Sequence, residues 1–261
     1  MAMLAIAYTR GDESIKERPS PSEVGGYVFD ARDVFHKVFA AAGGYYLEID
    51  TAADGHYNAT GLQRVHRASV PFPALSDTVA PERGYSPKEP PKAAVALGVE
   101  WQTDANGPWI GLADFLGKGK RKVSNVQLKT DEASSQKVGF TLTYALEDGS
   151  GPGRTVSEAY KLTSDGVVQT SSVSGQVTDL RVQWPVLVQD GVQDTQWSVA
   201  NDGITVTQRG SSTMVSFAPG QIKEKPVVAD IRLVNHNGYV RTATVAAAGR
   251  DITTTIRLYA R

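Results

Sequence analysis

Three of the four histidines in this 261-residue chain, His36, His56 and His66, fall within one 31-residue window. Two of them lie in GGYYLEIDTAADGHYNATGLQRVHR, residues 43–67, the densest run of polar functional groups in the sequence. Alternation along an extended strand puts Tyr46, Glu48 and Asp50 on one face and Tyr45, Leu47 and Ile49 on the other. On the returning strand it puts Leu62, Arg64 and His66 together, with Gln63, Val65 and Arg67 opposite. The connecting loop carries Asp54, His56, Tyr57 and Asn58. Aromatic rings beside amides, acids and guanidinium groups are what sugar recognition needs. Sugar C–H groups stack on rings while hydroxyls take paired polar contacts. The expected ligand is therefore an oligo- or polysaccharide bound at 45–67.

Any one of these residues alone is also ordinary on a wet hairpin, where a Glu–Arg pair contributes roughly a few tenths of a kcal/mol. Their concentration is what points to a site. Glu48 and Asp50 stand about 6–7 Å apart by strand rise, a spacing that fits a glycoside hydrolase carboxylate pair and equally a solvated strand. Asp50, Asp54, His56 and Asn58 offer oxygen and nitrogen ligands for calcium or another divalent ion. They match no fixed metal-binding spacing, so no cofactor is expected. Asn58-Ala59-Thr60 is formally a glycosylation sequon, and no P-loop, dinucleotide glycine fingerprint or Gly-x-Ser-x-Gly elbow occurs. A second polar patch, residues 229–246, has His236 and Tyr239 beside Asn237-Gly238, with Arg232 and Arg241 on its strands. It reads as a hairpin with a polar tip.

These residues must be positioned by strands. After Gly43-Gly44 the apolar period becomes 2, and fourteen strand-like runs follow to the C-terminus, separated by Asp-Gly and Asn-Gly punctuation. The fold class is all-β: a large antiparallel two-sheet sandwich, since no repeat of fixed period supports a propeller. Upstream, Val28, Val34, Phe35, Val38 and Phe39 lie near i, i+3, i+4 spacing. They predict one substantial helix over about 27–42, ended by the two glycines. The division expected is a helical connector at 1–43 and the sandwich at 44–261. The opening run MLAIAYTRGD reads either as the last turns of an amphipathic helix begun earlier or as a short N-terminal helix. Residues 68–92, with six prolines, read as a long functional or wrap-around connection.

Composition narrows the partners. With 27 Lys+Arg against 28 Asp+Glu, the chain lacks the basic excess of a nucleic-acid binder, and nothing argues for a membrane surface. Zero cysteines exclude disulfides, thiolate metal sites and a cysteine nucleophile. The 41% hydrophobic content is enough for one large core or two modest ones.

The layout resembles polysaccharide lyases and related carbohydrate-active enzymes built from an (α/α)-toroid followed by a β-sandwich, the heparinase II/III-like group. The segments carrying the likeness are LAIAYTRGD, GGYYLEIDTAADGHYNATGL, WPVLVQDG and DIRLVNHNGYVRTA. The resemblance implies β-elimination on uronic-acid glycans, a secreted or periplasmic location, and a missing N-terminal toroid domain or partner chain. Elimination requires the uronate carboxylate to be neutralised, its C5 proton taken and the leaving oxygen protonated. Asn58 or Arg64 serve the first task; His56, His66, Tyr46 or Tyr57 serve the others. The alternatives are a glycoside hydrolase and a non-catalytic carbohydrate-binding sandwich. A binder would present an aromatic platform, drawn from Trp101, Trp109, Trp184 and Trp197, although Trp184 and Trp197 sit in strand-like runs expected in the core.

Overall fold

The run Lys137–Glu147 alternates for eleven residues. Its apolar members Val138, Phe140, Leu142, Tyr144 and Leu146 are all buried, as expected of a strand with one dry face. The same logic repeats along the chain. The computed structural model describes residues 11, 14, 16, 18–70, 77–81, 93–148 and 153–260. The apolar run at 3–10 lies outside the described residues, as does much of the proline-rich 68–92 segment.

Among the described residues seventeen strands occur in chain order: β1 Tyr27–Ala31, β2 Lys37–Ala42, β3 Tyr45–Asp50, β4 Gly61–Arg67, β5 Gly98–Gln102, β6 Ile110–Gly111, β7 Lys122–Ser134, β8 Lys137–Glu147, β9 Arg154–Thr163, β10 Gly166–Val173, β11 Asp179–Gln189, β12 Gln196–Ala200, β13 Gly203–Gln208, β14 Ser211–Phe217, β15 Val227–Asn235, β16 Gly238–Ala246 and β17 Asp251–Ala260. All fourteen runs read from the sequence are present. Of the described residues 61% are in strands. It forms an antiparallel sandwich of three sheets rather than two, ordered β1-β2-β3-β4, β12-β13-β14-β17-β10-β9-β8-β7 and β15-β16-β11-β5-β6. One continuous core joins them: Leu47, Ile49 and Val65 from the first sheet, Phe140 and Val156 from the second, Trp184 and Val245 from the third.

Residues 27–42 are not the helix that their spacing predicts. They form the β1–β2 hairpin, with Phe29 opposite Phe39 and Val28 opposite Ala40. The spacing fits both periods, and side-chain type decides between them. Tyr27, Val28, Phe29, Val38 and Phe39 are β-branched or aromatic, which lose χ1 freedom in a helix and suit a pleated surface. Val38, Ala40 and Ala42 are buried while Lys37 and Phe39 are only half-buried, a period of 2. One helical turn, Arg32–Phe35, remains as the hairpin connection, closed by His36 in the left-handed region. The expected boundary at residue 43 therefore falls inside a hairpin, since Ala42 pairs with Tyr45 across it. The stretch assigned to a helical connector supplies two of the first sheet's four strands.

Gly43 does more than turn the chain. Its φ is +59°, and a Cβ there would stand 2.3 Å from the Ser164 nitrogen, because the β2–β3 turn packs on the β9–β10 turn. Trp101 and Trp184 are core residues. Trp197 is not: it stands 38% exposed on β12, the edge strand of the eight-stranded sheet.

The core also holds a carboxyl group. Glu158 is fully buried and accepts hydrogen bonds from the Tyr160 hydroxyl at 2.8 Å, the Tyr144 hydroxyl at 3.3 Å and the Gln169 amide at 2.8 Å. Burial nevertheless pushes its pKa up to about 7 against those donors, since no cation offsets the charge. The folded protein thus holds the acid form at a pH where the unfolded chain ionises. This contribution is complete below the unfolded carboxylate pKa and is lost as pH rises through about 7.

Two outcomes follow. The melting temperature should fall between pH 5 and pH 8 by clearly more in the wild type than in Glu158→Gln; equal falls would show that other groups carry the dependence. Gly43→Ala should destabilise by about 2 kcal/mol or more in urea unfolding, through strain and backbone contact.

Candidate functional site

The inner face of β3 buries Tyr45, Leu47 and Ile49 completely, so Tyr46, Glu48 and Asp50 must project from the other side of the first sheet. Pairing brings His66 opposite Tyr46 and Arg64 opposite Glu48. A register shift between Glu48 and Ile49 then sets Leu62 opposite Ile49. Leu62 turns into the core instead of sharing a face with Arg64 and His66, because the extra residue of a bulge inverts the alternation.

Four strands thereby contribute one aromatic row. Phe29 stacks on Phe39 with centroids 6.2 Å apart, Phe39 on Tyr46 at 6.3 Å, and Tyr46 meets His66 at 6.0 Å. Phe29 is 59% exposed at its outer end. At the Tyr46–His66 end the row opens into a cleft of about 480 Å³, whose lining includes Tyr27, Glu23 and Arg67. Burial holds the Tyr46 phenol up at about 12, with Glu48 adding to the shift. Burial, then the Arg64 charge, lowers the pKa of His66 below its ordinary value. Near pH 7 the pair is a neutral phenol beside a neutral imidazole, one able to give a proton and the other to take one.

Charged partners brace this face. The Lys37 ammonium bonds the Glu48 carboxylate and the Gln63 amide oxygen, and stands 3.9 Å from Asp50. Burial pushes Asp50 up to about 7, opposed chiefly by Lys37. The Gln63 amide nitrogen is buried without a partner. Arg64 reaches the buried Asp77 at 3.2 Å, and His236 approaches the same carboxylate at 3.7 Å. The Asn235 amide donates to the Asp77 carbonyl at 3.2 Å. The tip of the β15–β16 hairpin and a residue of the proline-rich segment therefore meet the 45–67 hairpin. Sequence reading placed these on three separate elements.

The structure divides the sequence-predicted residues. Tyr46, Glu48, Arg64 and His66 share the outer face. Asp50 lies at its far end, four residues from Tyr46, or about 13 Å by strand rise. His56, Tyr57 and Asn58 lie beyond Asp50 on the loop. There Asp54 accepts the backbone N–H groups of His56 at 2.8 Å and Tyr57 at 3.1 Å, and the His56 and Tyr57 rings meet edge-on at 4.7 Å. Neither ring lines the Tyr46–His66 cleft. Among the described residues no three His, Asp or Glu side chains gather as a metal ion would need, and no helix is long and apolar enough to cross a membrane. Sequence reasoning missed Tyr27, Lys37 and Asp77. The first two were hidden by the helix reading. Asp77 sits in a segment without periodicity.

No protein-family model matches the sequence, and no curated protein matches it. Among solved structures the fold is similar to a galactose mutarotase-like protein from Clostridium acetobutylicum, with a TM-score of 0.55 at 8% identity, over 91% of this chain and 99% of that one. It is also similar to part of a 4-alpha-glucanotransferase from Thermococcus litoralis, with a TM-score of 0.51 at 11% identity, over 94% of this chain and 40% of that one. A third likeness is to an alpha-N-acetylgalactosaminidase from Bifidobacterium bifidum, with a TM-score of 0.50 at 10% identity, over 85% of this chain and 36% of that one. At such identities the likeness is one of fold.

Replacing Lys37 by Met strips Glu48 and Asp50 of their cation. The expected loss is about 1–3 kcal/mol. It should be larger at pH 8 than at pH 5.5, because Asp50 is then ionised without compensation; urea unfolding at the two pH values measures both.

Proposed function

We propose that this protein acts on carbohydrate at the Tyr46–His66 cleft, by proton transfer, as a lyase on uronic-acid-containing glycans. The observation that carries the reading is the pairing of a protonated phenol and a neutral imidazole beside Arg67 in one open cleft. The sandwich domains of carbohydrate-processing proteins to which the fold is similar support the substrate class.

In this reading His66 takes the C5 proton of a uronate. The C5–H electrons form the C4=C5 double bond, the C4–O bond breaks, and the departing oxygen takes the Tyr46 proton. Return of the proton from imidazolium to phenolate resets the pair. The carboxylate must be neutralised for C5 to be acidic enough. Arg64 is engaged by Asp77 and Asn58 lies on the distant loop, which shifts this role from the two residues first considered to Arg67. Its guanidinium packs over the Tyr45 ring at 5.3 Å and donates to the Leu258 carbonyl at 2.6 Å, leaving further N–H groups for a ligand.

A second reading follows from the mutarotase-like fold, which this chain matches over nearly its whole length. There His66 takes the anomeric hydroxyl proton and Tyr46 protonates the ring oxygen as the ring opens, and no cation is required.

Ultraviolet absorbance of an unsaturated uronate product separates the first reading from the second, which predicts anomer exchange by NMR and no absorbance. Under either, Tyr46→Phe and His66→Ala should each lower turnover about tenfold or more, equivalent to ~1.4 kcal/mol, with little change in melting temperature. Turnover should rise with pH as His66 loses its proton, at a lower pH than an ordinary imidazole would, with no loss from Tyr46 until about pH 12. Unchanged turnover in both variants would remove the cleft from the chemistry.

A further inference from the structure

Four of the five residues 118–122 are cations: Lys118, Lys120, Arg121 and Lys122. They stand in a chain whose net charge is −1. They belong to a loop tied shut at its base. Leu116 donates its N–H to the Arg121 carbonyl at 3.2 Å, and Val123 donates to the Leu116 carbonyl at 2.8 Å. The loop is anchored sideways as well. Gly117 donates to the Ala53 carbonyl at 2.9 Å, and the Leu116 side chain lies so close over Gly55 that a Cβ there would be 2.5 Å from its Cδ1. The cationic tip is therefore held in place before any ligand arrives.

Two of the four charges are matched. Arg121 lies 3.8 Å from Asp114, and Lys122 lies 3.0 Å from Glu147. Lys118 and Lys120 are exposed and have no acidic partner among the described residues. Both line an open cleft of about 500 Å³ with Arg121, over the apolar side chains of Ile110 and Leu116. Two acids also line it. Asp114 is occupied by the Gly111 N–H at 2.8 Å as well as by Arg121, and its burial favours the uncharged form. Asp148 is the other, and it leaves the lysine pair in excess.

We infer that this cleft is a second carbohydrate subsite, which takes an acidic oligosaccharide. Ammonium groups beside an apolar floor suit a sugar ring whose C–H face rests on Ile110 and Leu116 while its carboxylates meet Lys118 and Lys120. A neutral sugar would make no use of the lysines, and a small inorganic anion none of the floor. The choice of a sugar as ligand rests on the carbohydrate reading above; the anionic character rests on this loop alone.

The test is calorimetric titration of the full chain with tetragalacturonate, with maltotetraose and inorganic phosphate as comparisons. Lys118→Ala/Lys120→Ala should weaken tetragalacturonate binding about tenfold or more, ~1.4 kcal/mol, and added salt should weaken the wild type in the same direction. Maltotetraose should be indifferent to the double substitution, and Tyr46→Phe should keep the salt-dependent component. Tetragalacturonate binding that survives the double substitution unchanged would overturn the inference. So would phosphate binding as tight as that of the tetrasaccharide, which would reduce the cleft to a bare anion site. A Tyr46→Phe variant with wild-type turnover, alongside a large lysine effect, would sink the reading of the first cleft and leave this one standing.

Discussion

The burial of Tyr45, Leu47 and Ile49 against the eight-stranded sheet is the constraint from which the outer face follows. Alternate residues of a strand cannot share a side, so a core that claims these three must expel Tyr46, Glu48 and Asp50. The neighbouring strands obey the same rule. Val38, Ala40 and Ala42 face inward on β2 and Val65 on β4, which delivers Lys37, Phe39, Arg64 and His66 to one polar surface. A shift of one residue on any of these strands would dismantle the surface and the core together. The bulge in β4 is the one place where the alternation is broken, and there it sends Leu62 to the core beside Ile49.

Dryness on the inner side sets the electrostatics on the outer side. Tyr46, His66 and Asp50 are covered enough for desolvation to be the largest cause of each pKa shift, and it acts in the same sense on all three, favouring the uncharged form. Lys37 and Asp77 serve as local counter-charges, one under Glu48 and Asp50, the other under Arg64 and His236. This separates the roles of the polar groups. Lys37 holds Glu48 and Gln63, and Arg64 and Asp77 hold each other, while Tyr46 and His66 remain uncharged at the mouth of a cleft. The basic loop at 116–122 is a contrasting design, in which the ammonium groups stand exposed and the backbone ties supply the order.

The strands after residue 44 were legible because each alternates on its own and is bounded by turn residues, as in Arg154–Thr163 and Gly166–Val173. The β1–β2 hairpin was not legible. Its apolar residues satisfy a 3.6 period as well as a period of 2, and only the β-branched and aromatic character of Tyr27, Val28, Phe29, Val38 and Phe39 argued for the strand. The 45–67 hairpin was identified as a polar cluster from composition alone. Which of its members act together was another matter: Tyr46 and His66 face each other across one strand pair, whereas His56 and Tyr57 lie beyond its far end.

What the sequence determined by itself was local: the period of each run, the turns, the absence of thiol chemistry and the concentration of tyrosine, histidine and arginine at 43–67. Each of these depends on neighbours a few residues apart, and so can be read without knowing where the rest of the chain goes. Only the tertiary structure decided that Asp77 meets both Arg64 and His236, that Lys37 sits between Glu48 and Gln63, and that Gly55 gives room to Leu116. Those contacts join residues between 11 and 159 positions apart, and no periodicity encodes them. They exist because the strands that carry them had already to pair and bury their inner faces, and side chains on the outer face meet whatever that packing brings alongside.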